Sequence, residues 1–169
     1  MPSILSSPAS LHTRPRSFAS IWTPAALGIV VIAIESTATF SAANTSSWLR
    51  PIAEAIFGRL SDPTWELAHH LLRKTGHFIG YGTLCVLFLR AWLLTLAPRV
   101  EELGISDRMW RLKSWVRAIL STAFIASCDE IHQRFTPGRT GMFSDVVLDT
   151  IGATIVSGLV LALTAGNRE

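Results

Sequence analysis

An all-α membrane bundle of four transmembrane helices, with a short interfacial helix between spans one and two, is the fold this sequence predicts. Three observations lead there. Of 169 residues, 49% are hydrophobic and only 16% charged, where a soluble domain carries about a quarter charged residues. Apolar stretches recur along the chain at about the twenty-residue length that crosses bilayer hydrocarbon. Six tryptophans stand against a single tyrosine, and tryptophan concentrates at membrane–water interfaces. The net charge of +3 comes without any run of Lys or Arg, so nucleic acid is not an expected partner. The basic residues read instead as loops that set membrane topology.

Residues 1–21 are rich in Ser and Pro, carry Arg14 and Arg16 and contain no acid, which predicts a disordered cytoplasmic tail. Residues 22–169 form the membrane domain. The first span covers Trp22 to Ala43. Its Arg-bearing flank and Ser41-Ala42-Ala43 resemble a cleavable signal, but Glu35 interrupts the apolar run and Pro24 lies at its start, so an uncleaved span is favoured. Residues 44–64 connect to span two, and Ile52 to Phe57 predicts a short amphipathic helix at the interface, ended by Gly58. Span two runs from about Trp65 to Ala97 and stops at Pro98. Residues 98–114 read as a charged loop. Span three is the least apolar: only Ala118 to Cys128 is free of charge, and it reaches spanning length from Trp115 to Phe135 if its polar end faces protein or water. Thr136-Pro137-Gly138 breaks it. Span four covers Asp145 to about Ala165, where Gly152, Ala153, Ser157 and Gly158 allow close helix contact in lipid. Cys85 and Cys128, lacking CxxC spacing and set in apolar surroundings, read as buried packing residues.

Four spans place both termini and loop 98–114 on one side. That side holds eight basic residues (Arg14, Arg16, Arg99, Arg108, Arg111, Lys113, Arg117, Arg168), against six on the other (Arg50, Arg59, Arg73, Lys74, Arg134, Arg139). The bias assigns cytoplasmic N and C termini in the plasma (inner) membrane. The same topology brings the start of span two, the end of span three and the start of span four to the outer face. At about 100° per residue, Lys74, His77 and Tyr81 share one stripe, as do Asp145 and Asp149, while Glu130 and Gln133 are i,i+3 neighbours. With Arg139 these residues define a candidate pocket.

Each has a structural reading beside a functional one. His77 either packs against a carboxylate or accepts a proton. Lys74 either reaches the headgroups or anchors an anion, and Tyr81 bonds between helices. Glu130 and Arg139 either form a salt bridge that staples the break after span three or contact a ligand directly, and Gln133 would cross-link helices. Asp145 suits a cap on the last helix; Asp149 lies one turn deeper, where capping has no use for it. His132 and Arg134 read as loop-facing. Glu35 either pairs into the pocket or marks a proton path. Glu130, Asp145, Asp149 and His77 together could hold a divalent cation, but no spacing is diagnostic, so no metal is assigned. No cofactor is assigned either, since no nucleophile elbow, phosphate loop or dinucleotide fingerprint is present.

Lys74-Thr75-Gly76-His77-Phe78-Ile79-Gly80-Tyr81, then Asp129-Glu130-Ile131-His132-Gln133-Arg134-Phe135-Thr136-Pro137-Gly138-Arg139, then Ser144-Asp145 through Asp149 to Gly152-Ala153 resemble the VanZ-like family of small membrane proteins. The matching pattern is Lys-x-x-His-x-x-x-Tyr, Glu-x-x-Gln with Pro-Gly-Arg, and an acid followed by Gly in the last helix. Two positions depart from it: Arg73 stands where the family has an acid, and Asp149 where it has Asn. The family takes its name from a teicoplanin-resistance protein. The resemblance therefore implies an integral membrane protein of the cell envelope, and supplies no reaction. The expected ligand is an anionic lipid or lipid-linked envelope precursor, bound or modified at the outer face, with a homo-oligomer as a further expectation. A small proton-coupled transporter, on Glu35, Arg90 and Asp149, or an accessory structural subunit are the alternatives.

Overall fold

The computed structural model describes residues 17–98, 100 and 104–165. The expected tail falls outside these up to residue 16. Residues 18–21, also assigned to it, are already helical, because the Ser17 hydroxyl accepts from the Ser20 amide at 3.2 Å and caps the helix at once. Five α-helices are bounded by described residues: α1 Phe18–Glu35, α2 Ala42–Phe57, α3 Asp62–Leu96, α4 Asp107–Phe135 and α5 Phe143–Ala165, with one 3₁₀ turn at Ala38–Phe40.

Three of these boundaries correct the expected ones. The first apolar run does not continue to Ala43; the Ser36 amide closes α1 on the Ile32 carbonyl at 2.9 Å. The Ser41 hydroxyl then accepts from the Asn44 amide and starts α2. Apolar residues on both sides of the turn hide it from hydropathy, whereas Ser hydroxyls offer the backbone a local alternative to helix. The helix expected at the interface is therefore 16 residues long, not the short piece from Ile52, and it ends at Gly58 (φ 82°) as expected. Likewise α4 starts at Asp107 rather than Trp115, because Ser106 caps it through the Met109 amide at 3.3 Å. Residues 107–114 of the expected charged loop are helix. Residues 99 and 101–103 lie outside the described residues.

α1, α3 and α5 are long and apolar enough to cross a membrane. α3 is the axis of the bundle. Tyr81, Leu84, Leu89 and Leu93 on it are fully buried, with Trp110 of α4 beside them. α1 and α4 run against it: Ile32 lies by Gly80 and Gly28 by Leu84, the Trp92 indole donates to Ser121 at 3.1 Å and the Trp110 indole to the Leu93 carbonyl at 3.2 Å. The Arg90 guanidinium donates to the Ile21 carbonyl at 3.0 Å and ties α3 to α1. α5 runs alongside α3 in the same direction. Their seam interlocks: a Cβ on Gly82 would meet Val156 Cγ2 at 2.7 Å, and one on Gly152 would meet Phe78 Cδ2 at 2.9 Å. Ala153 and Ser157 are fully buried on the same face. Cys85 is buried as expected, but Cys128 is exposed, because its position on α4 points away from α3 and α5.

α2 leaves the bundle. Trp48, Ile52, Ile56 and Phe57 are exposed along it, while its other side is tied to the start of α3. The Trp65 indole donates to Ser46 at 2.7 Å, Thr45 meets His69 Nε2 at 3.0 Å, and Arg50 bridges Glu54 and Asp62. The Arg50 hydrogen bond holds the Glu54 carboxyl below its ordinary value.

Candidate functional site

α3, α4 and α5 meet at one end of the bundle, and their polar residues meet there with them. The α3 stripe is spent on three different acids. Lys74 pairs with Asp145, His77 Nδ1 lies 3.5 Å from Asp149 Oδ1, and the Tyr81 hydroxyl donates to Asp129 Oδ2 at 2.8 Å. Gln133 Nε2 donates to the same Asp129 oxygen at 2.8 Å. The Gln133 bond thus stays within α4, which corrects the expected cross-link. The link between helices is made by Tyr81 and Asp129.

Glu130 and Arg139 do not pair as expected; no salt bridge joins them among the described residues. Glu130 Oε2 accepts instead from the Met142 amide at 2.7 Å. That bond depends on how the α4–α5 loop folds back. Gly138 turns it at φ 76°, and at Gly141 a Cβ would stand 2.1 Å from the Glu130 carbonyl oxygen, so only glycine allows the approach. Arg139 reaches over to the end of α1, donating to the Glu35 carbonyl at 2.6 Å and the Phe40 carbonyl at 2.8 Å. Burial lowers the Arg139 guanidinium from its ordinary value, against the pull of the Asp129, Glu130 and Glu35 carboxylates. Asp145 stands in the first turn of α5, where its carboxylate answers Lys74. His132 is not simply loop-facing, since its Nδ1 meets the Ser36 hydroxyl at 3.1 Å. Arg134 holds the loop through the Gly141 carbonyl at 3.3 Å.

Beside these residues, between α1 and α3, lies a cavity of about 390 Å³. Its polar wall includes Glu35, Arg73, His77, Tyr81, Asp129 and Arg139, and its apolar wall includes Ile32, Phe40 and Ile79. Sequence reasoning did not place Arg73 in the pocket, because one step along a helix is a turn of about 100° away from Lys74. In the fold it donates to the Phe40 carbonyl at 3.0 Å, the same oxygen that Arg139 uses. Asp129, part of the motif but outside the expected pocket, carries the Tyr81 and Gln133 bonds. Of the expected pocket residues, His77, Tyr81 and Arg139 line the cavity. Glu130, Gln133 and Asp149 lie buried behind it, and Lys74 and Asp145 pair at its edge.

Several buried polar atoms here have no hydrogen-bond partner among the described residues: Asp149 Oδ1 and Oδ2, Glu130 Oε1, His77 Nδ1 and Arg139 Nε. The ligand atoms of His77, Glu130 and Asp149 all lie within 4.8 Å of one another.

A family model described as VanZ/LLP1 matches residues 17–164. No curated protein and no solved structure matches the chain.

Proposed function

The chain belongs to the VanZ/LLP1 family, and from that membership and the site's geometry we propose that it is a four-span protein of the cell envelope that holds an anionic lipid headgroup, or the phosphate of a lipid-linked precursor, between Arg73 and Arg139. One observation carries this reading. Two guanidiniums converge on a single backbone carbonyl, that of Phe40. Like charges brought together over a neutral acceptor are poorly compensated, whereas a phosphate accepts from both with charge-assisted bonds. Arg139 Nε, buried and unpartnered, is a further donor for the same anion. The apolar wall of Ile32, Phe40 and Ile79 suits the acyl end of an amphipathic ligand, and the cavity's volume lies in the range of small-molecule sites.

α4 supplies the fourth span. Its polar residues Ser114, Thr122, Asp129, Glu130 and Gln133 are buried, and its exposed face carries Val116, Leu120, Phe124 and Ile131 through the middle, with Arg108, Lys113, Arg117, His132 and Arg134 exposed toward the two ends. Averaged over the whole helix this pattern reads as too polar to cross a bilayer. Face by face it suits a helix with lipid outside and protein inside. α4 also lies against both α3 and α5 along its length, so it shares whatever depth they occupy. Positive-inside counting then places both termini in the cytoplasm and the site at the outer face. The apolar layer of Leu84, Phe88 and Leu89 below the site favours binding over a proton or solute path from Glu35 through Arg90.

Native mass spectrometry of the detergent-purified protein, offered phosphatidylglycerol and phosphatidylcholine together, tests the reading. The wild type retains the anionic lipid preferentially, and the double variant Arg73→Ala/Arg139→Ala loses the preference. Equal retention of both lipids by the wild type overturns it. In cells, teicoplanin tolerance conferred by the wild type and lost in the double variant would connect the site to the family's name.

A further inference from the structure

We propose that His77, Glu130 and Asp149 form a binding site for a divalent transition-metal cation such as Zn²⁺ or Mn²⁺ in the floor of the cavity. This revises the sequence expectation of no metal, and it stands independently of the anion reading. Asp149 is fully buried and Glu130 nearly so, yet both oxygens of the first and one of the second have no hydrogen-bond partner among the described residues. Buried carboxylates left this way are costly, and the neighbouring cations are committed elsewhere. Lys74 pairs with Asp145, while Arg73 and Arg139 reach backbone carbonyls. A cation bound between the carboxylates compensates the charge and satisfies the oxygens together.

The spacing points the same way. His77 Nδ1 and Asp149 Oδ1 are 3.5 Å apart, too long for a good N–H···O bond. Two donors on a tetrahedral zinc, each about 2.0–2.1 Å from the ion, stand about 3.4 Å from one another. All three ligand atoms lie within 4.8 Å, so small rotamer adjustments close them on an ion. The surroundings suit such a site. Glu130 is oriented by the Met142 amide on Oε2, which leaves Oε1 as the donor, a supporting bond of the kind that fixes metal ligands. His77 lines the cavity, which provides an entry path and room for an exogenous ligand. One imidazole and two carboxylates favour zinc or manganese over calcium or magnesium, which prefer all-oxygen donors. Three protein ligands beside an open cavity match the arrangement of exchangeable rather than closed structural metal sites.

The test is titration of the chelator-stripped, detergent-purified full chain with Co²⁺ and then Zn²⁺. Visible absorption of bound cobalt and thermal unfolding are the two readouts. The wild type is expected to take up one Co²⁺ per chain, displaced by Zn²⁺, and to unfold at a higher temperature with Zn²⁺ present. Asp149→Asn and His77→Ala weaken binding at least about tenfold, on the scale at which metal sites lose affinity when perturbed. Glu130→Gln, a near-isosteric change, serves where either of these fails to fold. Absence of cobalt bands and of a thermal shift in the wild type overturns the proposal. So does unchanged uptake by His77→Ala, which would assign the metal to exposed histidines such as His70. In the wild type, equal retention of both lipids with cobalt bound would count against the anion reading alone, and a lipid preference without cobalt binding against the metal alone.

Discussion

Replacing Gly152 with alanine should loosen the site without touching any of its polar groups. The added Cβ would lie 2.9 Å from Phe78 Cδ2 and 3.0 Å from the Phe78 carbonyl oxygen. The ring can turn, but the carbonyl belongs to the backbone of α3, so α3 and α5 must part by about half an ångström to restore ordinary contact. Overpacking of this kind costs about 1–3 kcal/mol, set against about 0.5–1 kcal/mol gained by removing a helix-interior glycine. Gly158→Ala, six residues on in the same helix, gains the same propensity term without the clash, since its Cβ meets only Trp115 at 3.5 Å. The difference between the two variants is therefore the clash alone, about 1–3 kcal/mol. Reversible unfolding in mixed micelles, followed by circular dichroism, measures it. The structural consequence is local: His77 precedes Phe78 and Asp149 lies one turn before Gly152, so the separation pulls that pair apart and weakens metal uptake. Equal stability of the two variants would refute the close α3–α5 seam.

The other expectations concern single ties. Tyr81→Phe should cost about 0.6 and at most about 1.7 kcal/mol, the mean and maximum for hydrogen bonds between membrane helices, and Gln133→Leu, which removes a bond within α4, about 0.5–1.5 kcal/mol. Because both donors use Asp129 Oδ2, the double variant should depart from the sum of the singles in the same unfolding assay. Arg139→Ala removes the ties to the Glu35 and Phe40 carbonyls and should speed trypsin cleavage after Arg134, read by mass spectrometry against the wild type. Acidification should weaken the docking of α2. Its folded-state carboxyl, Glu54, is held low by Arg50, so that stabilisation is present above the ordinary carboxylate value and is lost as pH falls through the lower folded value. Lower amide-exchange protection of α2 at acid pH relative to the intrinsic rate at that pH, unchanged in Glu54→Gln, measures it.

Much of the bundle was legible because hydropathy and helix periodicity act locally. The α3 stripe of Lys74, His77 and Tyr81 and the small residues of α5 could be read from spacing alone. What escaped follows from interactions that spacing does not encode. The serines at 17, 41 and 106 set three helix starts through single cap bonds, and apolar or charged neighbours masked each of them. The Glu130–Arg139 pairing failed because the loop glycines at 138 and 141 fold the Met142 amide onto Glu130 and send Arg139 toward α1, a contact across about a hundred residues of sequence. Arg73 stands one step off the stripe; only the 3₁₀ turn after α1, through the Phe40 carbonyl, gives it an acceptor shared with Arg139. In α4 a whole-helix average hides that Ser114, Thr122, Asp129, Glu130 and Gln133 are buried while Val116, Leu120, Phe124 and Ile131 are exposed.

A crystal structure from lipidic cubic phase containing phosphatidylglycerol tests the central claim most directly. Phosphate density within hydrogen-bond reach of both Arg73 and Arg139, with an acyl chain along Ile79, is the expected result. Ordered lipid elsewhere on the protein, with Arg73 and Arg139 still bound only to the Phe40 and Glu35 carbonyls, would contradict it.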